Sequence, residues 1–271
     1  MQEHVLKIAS WNVNSIKVRL DQILQWLKDS NCDILALQEL KLANEHFPEK
    51  IFNELGYYCA FNGQKTYNGV AIISKLPFDE IACDIPNYVD INKRVIRVSI
   101  NSLKLNIVCV YVVNGESLQS DKFQYKLSWL DALKNYISSL LEASKNNLTQ
   151  CNQLIVLGDF NIAPDDKDVY DPTIWQDSIL CSKMERNKWQ DLLQLGLLDS
   201  FRLFNNDAKN YTWWDYRNMA FRRNLGLRID HILINHDLQT KLIDCQIDKN
   251  PRRNIRASDH TPIILSLLMT P

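Results

Sequence analysis

The sequence predicts an α/β protein whose β-sheets are mixed, containing both parallel and antiparallel strands. The first observation is a strand–helix–strand unit, in which VLKIASW (5–11) and DILAL (33–37) flank a helical pattern over 16–28. The second is a pair of apolar runs, RVIRVSI (94–100) and LKLNIVCVYV (103–112), whose spacing predicts an antiparallel hairpin. Hairpins combined with strand–helix–strand units favour mixed sheets over a purely parallel, doubly wound sheet.

The remaining elements are predicted from the same periodicities. Apolar residues recur at helical spacing in the first helix, and Ser15 is its candidate N-cap. The hairpin turns at Asn101-Ser102, and residues 120–142 form a long amphipathic helix. Short apolar runs predict four further strands: GVAIIS (69–74), QLIVLG (153–158), RIDHILI (228–234) and PIILSLL (262–268).

Length and composition predict one globular domain over residues 1–271. Of the 271 residues, 46% are hydrophobic and 23% charged, an ordinary globular composition that argues against a disordered chain. The chain has no repeat and no flexible linker, and its most polar connector, SKNNLTQCNQ (144–153), joins a helix to a strand. The net charge of −1 excludes a uniformly basic nucleic-acid binder but allows a local basic face.

The sequence also predicts a cytoplasmic protein without membrane contact. No apolar run approaches the roughly 18 residues of a membrane span, and the start, MQEHVLKIASW, does not resemble a signal peptide. Seven cysteines are present and none forms a CxxC pair, which disfavours thiolate zinc. Buried, reduced thiols are the expected state. The sequence shows no coiled-coil pattern, and a monomer is expected.

Polar side chains follow the predicted strands, at the positions where sheet proteins build active sites. These candidates are Asn12, Asn14, Glu39, Tyr111, Asn114, Asp159, Asn161, Asp230, Asp259 and His260. Single Asn or Asp residues are common in turns, but turn chemistry alone does not explain six such segments. Glu39, Asn14 and Asp259 offer oxygen ligands, which suit Mg²⁺ or Mn²⁺.

The same residue types restrict the reaction. The chain has no HExxH, GxSxG or Walker A motif, which disfavours metalloprotease, esterase and P-loop chemistry. Hydrolysis of a phosphate ester requires neutralised charge, a positioned water and support for the leaving oxygen. A carboxylate-held metal, Asp159 beside Asn161, and His260 with a carboxylate partner could meet these requirements.

Seven motifs together resemble the exonuclease III family of DNA repair nucleases, within the endonuclease/exonuclease/phosphatase superfamily that includes DNase I. They are SWNVNSIKVR (10–19), LALQELK (35–41), GQKTYNGVAI (63–72), GDFNIAP (158–164), WWDYR (213–217), GLRIDHIL (226–233) and SDHTP (258–262). The resemblance covers nearly the whole chain. It implies a four-layer α/β sandwich with two mixed sheets face to face and helices outside. It also implies Mg²⁺-dependent hydrolysis at abasic sites and 3′ ends of duplex DNA, in base excision repair.

The resemblance implies a metal site and a residue that activates water. Glu39 corresponds to the principal metal ligand, with Asn14 and Asp259 nearby and Asn12 ordering the cluster. Asp159 corresponds to the residue that positions or deprotonates the attacking water. Mg²⁺ is the implied cofactor, and Mn²⁺ a possible substitute.

It further implies groups that contact the phosphate and the DNA strand. Asn161 supports Asp159, and His260 contacts the scissile phosphate in an orientation set by Asp230. Tyr111 binds the phosphate or supports its chemistry, and Asn114 lies along the DNA.

A pocket for an extruded abasic sugar is implied by Trp213, Leu227 and Ile229. An apolar, narrow pocket would admit a bare sugar and exclude a sugar that carries a base. Incision at abasic sites is expected to lead modestly over 3′ trimming, because these pocket residues match the family. Tyr170, in the loop DDKDVYDP (165–172), could hinder a continuous strand if its ring points into the site. Leu40 stands where the family usually has Thr, which puts the balance of activities in doubt.

Two basic segments flank the candidate motifs and predict a track for DNA phosphates. The first contains Arg217, Arg222, Arg223 and Arg228, and the second contains Lys249, Arg252, Arg253 and Arg256. The alternative interpretation of both is a solvated surface.

Two alternative functions remain open from the sequence. One keeps the fold and changes the substrate, giving a phosphodiesterase that acts on a phospholipid or phosphoinositide. The other is a non-catalytic DNA-binding relative, which would bind without turnover; the intact set of Glu39, Asp159, Asn161, Asp230 and His260 argues against it.

Overall fold

Two mixed six-stranded β-sheets pack face to face, and helices cover their outer faces, as the sequence and its resemblance predict. The computed structural model describes residues 4–146 and 149–269. The first sheet has the strand order β11-β12-β1-β2-β4-β3 and the second β5-β6-β7-β8-β10-β9. The pairs β1–β2 and β7–β8 are parallel and the other neighbours are antiparallel, so both sheets are mixed. The strands are β1 His4–Asn12, β2 Ile34–Gln38, β3 Tyr58–Asn62, β4 Val70–Ser74, β5 Glu80–Cys83, β6 Val95–Ile100, β7 Leu105–Tyr111, β8 Gln153–Asp159, β9 Leu197–Asp199, β10 Asp230–Asn235, β11 Leu242–Ile247 and β12 Ile263–Met269.

Six α-helices are assigned within the described part of the chain. They are α1 Ile16–Ser30, α2 Glu49–Glu54, α3 Asp121–Lys145, α4 Pro172–Trp175, α5 Lys183–Leu193 and α6 Ser200–Phe204. Helix α1 packs on the first sheet through Ile23 and Leu27, and α3 packs on the second through Leu130 and Leu133. None of the helices in residues 4–146 and 149–269 is both long and apolar enough to cross a membrane.

The central core lies between the two sheets and follows from the alternation of side chains along each strand. In β1, Leu6 and Ile8 face the opposite sheet, whereas Trp11 faces the helix layer. In β8, Ile155 belongs to the central core and Val156 to the cluster under α3. Apolar residues on both faces therefore give the continuous runs that predict these strands.

Two local predictions need correction. Ser15 precedes α1, but with φ 94° its side chain makes no capping hydrogen bond; its backbone N–H donates instead to the Glu39 carbonyl at 2.8 Å. The hairpin between β6 and β7 is present, but its turn is longer than Asn101-Ser102. A short 3₁₀ turn over Asn101–Leu103 is followed by Lys104 in the left-handed region. In the polar connector, residues 147 and 148 lie outside the described residues.

Candidate active site

The candidate residues meet because several strands end at the same edge of the two sheets. In the second sheet, Asp159 pairs with Tyr111 on one side and with Asp230 on the other. In the first sheet, Asn12 pairs with Gln38, the residue before Glu39. The β7–β8 register requires close backbone approach: a Cβ on Gly158 would lie 1.9 Å from the Val110 carbonyl oxygen. Glycine at this position therefore lets Asp159 lie beside Tyr111.

Asn12 joins the two sheets at the centre of the site. Its side-chain Nδ2 donates to Glu39 Oε1 at 2.8 Å and to Asp159 Oδ2 at 2.9 Å. Asn12 is fully buried, and its Oδ1 accepts the backbone N–H of Asn14 at 3.0 Å. One amide therefore fixes the distance between two carboxylates that come from different sheets.

A second group of contacts links Asn14 to Asp259. Asn14 Nδ2 donates to Asp259 Oδ1 at 2.9 Å, and Trp213 Nε1 donates to Asp259 Oδ2 at 2.9 Å. Lys41 Nζ lies 2.5 Å from Asn14 Oδ1 and 2.8 Å from Glu39 Oε2. The three residues predicted around the metal are thus connected, and the ammonium of Lys41 bridges two of them.

His260 lies between two buried carboxylates. Its Nδ1 is 2.8 Å from Asp230 Oδ2 and its Nε2 is 3.7 Å from Asp159 Oδ2. Burial lowers the pKa of His260, but the charges of Asp230 and Asp159 outweigh it and raise the pKa to about 10. The pKa of Asp159 is also raised, because burial and the nearby Asp230 and Glu39 outweigh the attraction of His260. A protonated imidazole therefore faces a carboxylate that is disposed to accept a proton.

Asn161 and Tyr111 complete the surroundings of Asp159. The backbone N–H of Asn161 donates to Asp159 Oδ1 at 2.9 Å, and Asn114 Nδ2 donates to Asn161 Oδ1 at 3.1 Å. Burial, together with the negative charge of Glu39, raises the pKa of the Tyr111 phenol well above its usual value. The Arg94 guanidinium lies 4.9 Å from the centre of the Tyr111 ring. Tyr111 is therefore a neutral hydroxyl group at neutral pH.

Several of these residues have a backbone that L-amino acids adopt rarely. The φ angles are 45° at Asn14, 55° at Glu39, 53° at Lys41 and 50° at Asn161. Such conformations cost on the order of 1–3 kcal/mol each and persist where surrounding contacts hold them. At Lys41 the backbone N–H donates to the Asn68 carbonyl at 2.9 Å. The fold therefore gives up some stability to orient these side chains.

The donor atoms at the centre fit a divalent cation that prefers oxygen. Glu39, Asp159 and His260 each offer a ligand atom, and these atoms lie within 4.8 Å of one another. Carboxylates crowded in a buried site repel one another unless a cation compensates them. The protonated ring of His260 has no lone pair to offer a cation, so the carboxylate oxygens of Glu39 and Asp159 are the available donors.

The three residues expected to line the sugar pocket differ in their exposure. Trp213 is half-buried, with its ring nitrogen bonded to Asp259. Leu227 and Ile229 are 0% and 1% exposed and pack with Val169 behind Trp213. The structure brings the three residues together, but only Trp213 presents a surface. Tyr170 is half-buried and packs against the cluster around Trp214.

The basic segments divide into exposed and structural residues. Arg222, Arg223, Arg253 and Arg256 are exposed. Arg252 is half-buried and donates to the carbonyls of Asp259 at 3.2 Å and Trp214 at 3.1 Å. The inclusion of Arg228 in the DNA track is wrong, because this side chain is 1% exposed and paired with Asp168 and Asp199.

Arg19 is a residue of the site that the sequence did not single out. Its guanidinium donates to the Asn14 carbonyl at 2.5 Å, the Tyr216 hydroxyl at 3.0 Å and the Ala257 carbonyl at 3.1 Å. It thereby ties the segment after β1 to the two segments that carry Tyr216 and Asp259. The available signal was its place in the motif SWNVNSIKVR.

Comparisons with known proteins agree with this arrangement. Residues 9–260 match the Endonuclease/Exonuclease/phosphatase family. The chain is 33% identical over 269 residues to exodeoxyribonuclease III of Haemophilus influenzae, covering 95% of this chain and 98% of that protein. Among solved structures, it is similar to a 3′ phosphatase from Neisseria bound to a product DNA hairpin (TM-score 0.91, 42% identity, 97% and 99% of the two chains). It is also similar to an AP endonuclease from Archaeoglobus fulgidus (TM-score 0.89, 34% identity, 97% and 99% of the two chains). The chain therefore belongs to the Endonuclease/Exonuclease/phosphatase family and is a hydrolase of the exodeoxyribonuclease III and AP endonuclease type.

Proposed function

We propose that this protein hydrolyses phosphate esters of duplex DNA at abasic sites and at 3′ ends, including 3′ phosphates, in base excision repair. The observation that carries the proposal is that three groups, from Asn12, Asn161 and His260, surround the carboxylate of Asp159. Asn12 and the Asn161 backbone each donate to its carboxylate, and His260 Nε2 lies 3.7 Å away. A carboxylate held in this way can accept a proton from a water that attacks phosphorus, while the neighbouring imidazolium donates to the phosphate. The DNA-bound relative from Neisseria supports DNA as the substrate.

We propose Mg²⁺ as the cofactor, with Mn²⁺ as a substitute. Glu39 would be the principal ligand, with Asn14 and Asp259 nearby and Asn12 holding the Glu39 carboxylate. When bound, the cation supplies positive charge that offsets the charge of the phosphate. All these side chains offer oxygen atoms, the donor type that Mg²⁺ prefers.

The chemical step requires a proton acceptor for the attacking water. Asp159 has this role because its carboxylate is buried, its pKa is raised by that burial, and Asn12 and Asn161 fix its orientation. Water oxygen attacks phosphorus while its proton passes to Asp159, and the bond from phosphorus to the leaving oxygen breaks. Asn161 supports the step by holding Asp159 through its backbone N–H.

His260 stabilises the charge that develops on phosphate oxygen. The Asp230 carboxylate is 2.8 Å from Nδ1 and keeps the ring charged, which leaves the Nε2 proton free to donate to the phosphate. Asp230 acts through His260 as a positioning residue. The neutral Tyr111 hydroxyl is a second donor to phosphate oxygen.

DNA would lie along the exposed residues around this edge of the sheets. Arg222, Arg223, Arg253 and Arg256 are exposed and available for phosphates, which makes contact independent of sequence. Trp213 is the surface that meets an extruded sugar, with Leu227 and Ile229 supporting it from behind. Asn114 is exposed and bonded to Asn161, so a strand that contacts Asn114 lies close to Asp159. Arg252 contributes by fixing the Asp259 segment.

We also propose that residues 1–271 form a single domain that acts as a monomer in the cytoplasm. The shared core between the two sheets supports one domain. All seven cysteines are free, as suits a reducing compartment.

A metal-dependent assay on defined duplexes tests this function. Three substrates carry an internal abasic site, a recessed 3′ end or a 3′ phosphate, and a fourth is a phosphoinositide. We expect Mg²⁺-dependent turnover of the DNA substrates and none of the lipid. EDTA should abolish turnover, and Glu39→Ala should lose tight Mg²⁺ binding, measured by calorimetry, together with most activity.

Matched controls separate loss of chemistry from loss of folding. Glu54 lies on α2 and is exposed, so Glu54→Ala should retain metal dependence and activity. Asp159→Asn and His260→Ala should each lower kcat at least about a hundredfold while DNA binding survives. Full activity in EDTA, or turnover of the lipid in place of DNA, would refute the proposal.

A further inference from the structure

We propose that Lys126, a buried residue of α3, is a positioning residue that sets the orientation of Asn114 and Asn161 and, through Asn161, of Asp159. The inference rests on the proposed function of the same site. Lys126 and its counter-ion Glu185 are both 0% exposed. Neither belongs to the motifs that predicted the site.

The ammonium group of Lys126 joins three separate segments. Its Nζ donates to the Asn161 carbonyl at 2.7 Å and to the Asn114 carbonyl at 3.1 Å, and pairs with Glu185 Oε1. An ammonium has three N–H donors, so these three acceptors satisfy it completely. The segment after β7 and the segment after β8 are therefore fixed to a common atom.

Glu185 is itself held from the start of α5. Its Oε1 accepts the Leu180 backbone N–H at 3.0 Å, and its Oε2 accepts the Ser182 backbone N–H at 3.0 Å and the Ser182 hydroxyl at 2.6 Å. Because Glu185 has little freedom, the ammonium it pairs with also has little freedom. The anchor thus extends from α5 through Lys126 to the candidate active site.

The turn at Gly115 is shaped to lie over Lys126. Gly115 has φ 96°, and a Cβ there would lie 3.2 Å from Lys126 Cδ and 2.9 Å from Ile179 Cδ1. Glycine permits both the left-handed backbone and the close approach. The Asn114 carbonyl can therefore reach the ammonium while its side chain turns outward and donates to Asn161 Oδ1 at 3.1 Å.

The path from Lys126 to the chemical step is short. The carbonyl of Asn161 binds Lys126, its N–H binds Asp159 Oδ1 at 2.9 Å, and its Nδ2 binds the Val112 carbonyl at 3.0 Å. Buried ion pairs contribute little net stability, because desolvation offsets the attraction between the charges. The contribution of this pair is consequently geometric: it holds two loops in the register that the site requires.

A paired substitution tests the inference without leaving a buried charge. Lys126→Met/Glu185→Leu replaces both partners with apolar side chains of similar volume, so no buried charge is left unpaired, and circular dichroism and thermal unfolding check that the fold survives. The assay uses a duplex with one abasic site and saturating Mg²⁺. We expect kcat to fall at least about tenfold with KM changed less than about twofold, because misplacement of reacting groups lowers the rate of the chemical step.

The matched control uses the same two helices. Lys134 on α3 pairs with Asp191 on α5 at 3.4 Å, and both are partly exposed. Lys134→Met/Asp191→Leu should retain native kcat. If the first pair of substitutions prevents folding, Lys126→Gln/Glu185→Gln keeps side-chain N–H donors at this position and should lose kcat by a smaller factor, about threefold.

A double-mutant cycle with Asp159→Asn decides between positioning and a general structural role. Lys126 binds the Asn161 carbonyl and the Asn161 N–H binds Asp159, so the paired substitution should lower kcat little further once the Asp159 carboxylate is gone. Additive losses, or native kcat in both paired variants, would overturn the inference. Near-native turnover in Asp159→Asn would instead overturn the proposed function, so the two failures are distinguishable.

Discussion

Replacing Asp230 with Asn is expected to change the protonation state of His260. The perturbation is conservative in shape, because Asn can still accept a hydrogen bond from Nδ1, which lies 2.8 Å from Asp230 Oδ2. It removes a negative charge that is 0% exposed and therefore poorly screened. Burial alone lowers the pKa of His260, and the charges of Asp230 and Asp159 raise it to about 10.

The size of the effect follows from that pKa. At about 1.4 kcal/mol per pKa unit, a rise from 6.5 to about 10 corresponds to about 5 kcal/mol in favour of the imidazolium. Asp230 is the first of three carboxylate charges, with Asp159 and Asp259, that raise the pKa of His260 against burial, so its removal should lower that pKa toward 6.5. The native ring stays charged at pH 8, whereas the ring of the variant should be neutral.

Two measurements check this expectation. NMR titration of the His260 ring in metal-free protein should place its midpoint near pH 10 in the native chain and below about 7 in Asp230→Asn. At pH 8, kcat on abasic duplex should fall at least about a hundredfold, the lower range for a positioned acid–base group, with a smaller loss at pH 6. Asp237→Asn, an exposed control, should match the native chain. A variant whose His260 ring stays protonated above pH 9 would refute the reasoning.

Three further predictions concern DNA contact, acid stability and substrate preference. Neutralising Arg222 and Arg223 should flatten the slope of log affinity against log salt by roughly 0.9 for each DNA phosphate that these arginines neutralise. An unchanged slope would mean that the two arginines form only a solvated surface. Burial lowers the pKa of His231 from 6.5 to about 4. Between these pH values the unfolded chain binds a proton that the folded chain does not, so about 3 kcal/mol of the free energy of unfolding is lost as pH falls from 6.5 toward 4. Urea denaturation should show this loss in the native chain and a shallower pH dependence in His231→Gln; identical slopes would contradict it. Tyr170→Gly should raise abasic incision relative to 3′ trimming if the ring crowds the track, and an unchanged ratio of the two rates would remove Tyr170 from substrate selection.

Strands in the interior of the two sheets were predictable from the sequence, and strands at the edges were not. The strand β8 has every residue buried, which produces the apolar run QLIVLG. The four strands that the sequence did not reveal, β3, β5, β9 and β11, are the four sheet edges. An edge strand is covered less completely, and β5 has three of its four residues exposed. Its sequence therefore carries little hydrophobic signal.

The candidate site was predictable where function requires a particular side chain at a strand end. Asn12, Glu39, Asp159, Asp230 and His260 follow or begin apolar runs, and the structure brings all five together. Their roles remain predictions, but their proximity follows from strand register. Arg19 and Lys126 act through hydrogen bonds to backbone carbonyls, and no comparable pattern in the sequence marks such residues.

The sequence by itself determined the mixed α/β architecture and the set of polar groups at the strand ends, because both depend on local periodicity and residue type. Only the tertiary structure decided which charges are exposed and which are paired. Arg222 and Arg228 look alike in one basic segment, yet Arg222 is exposed and Arg228 is buried against Asp168. Lys126 looks like a surface residue of an amphipathic helix, yet it is fully buried against Glu185, which lies 59 residues further along the chain. Whether a long charged side chain meets water or a counter-ion depends on such distant partners, and local sequence does not encode them.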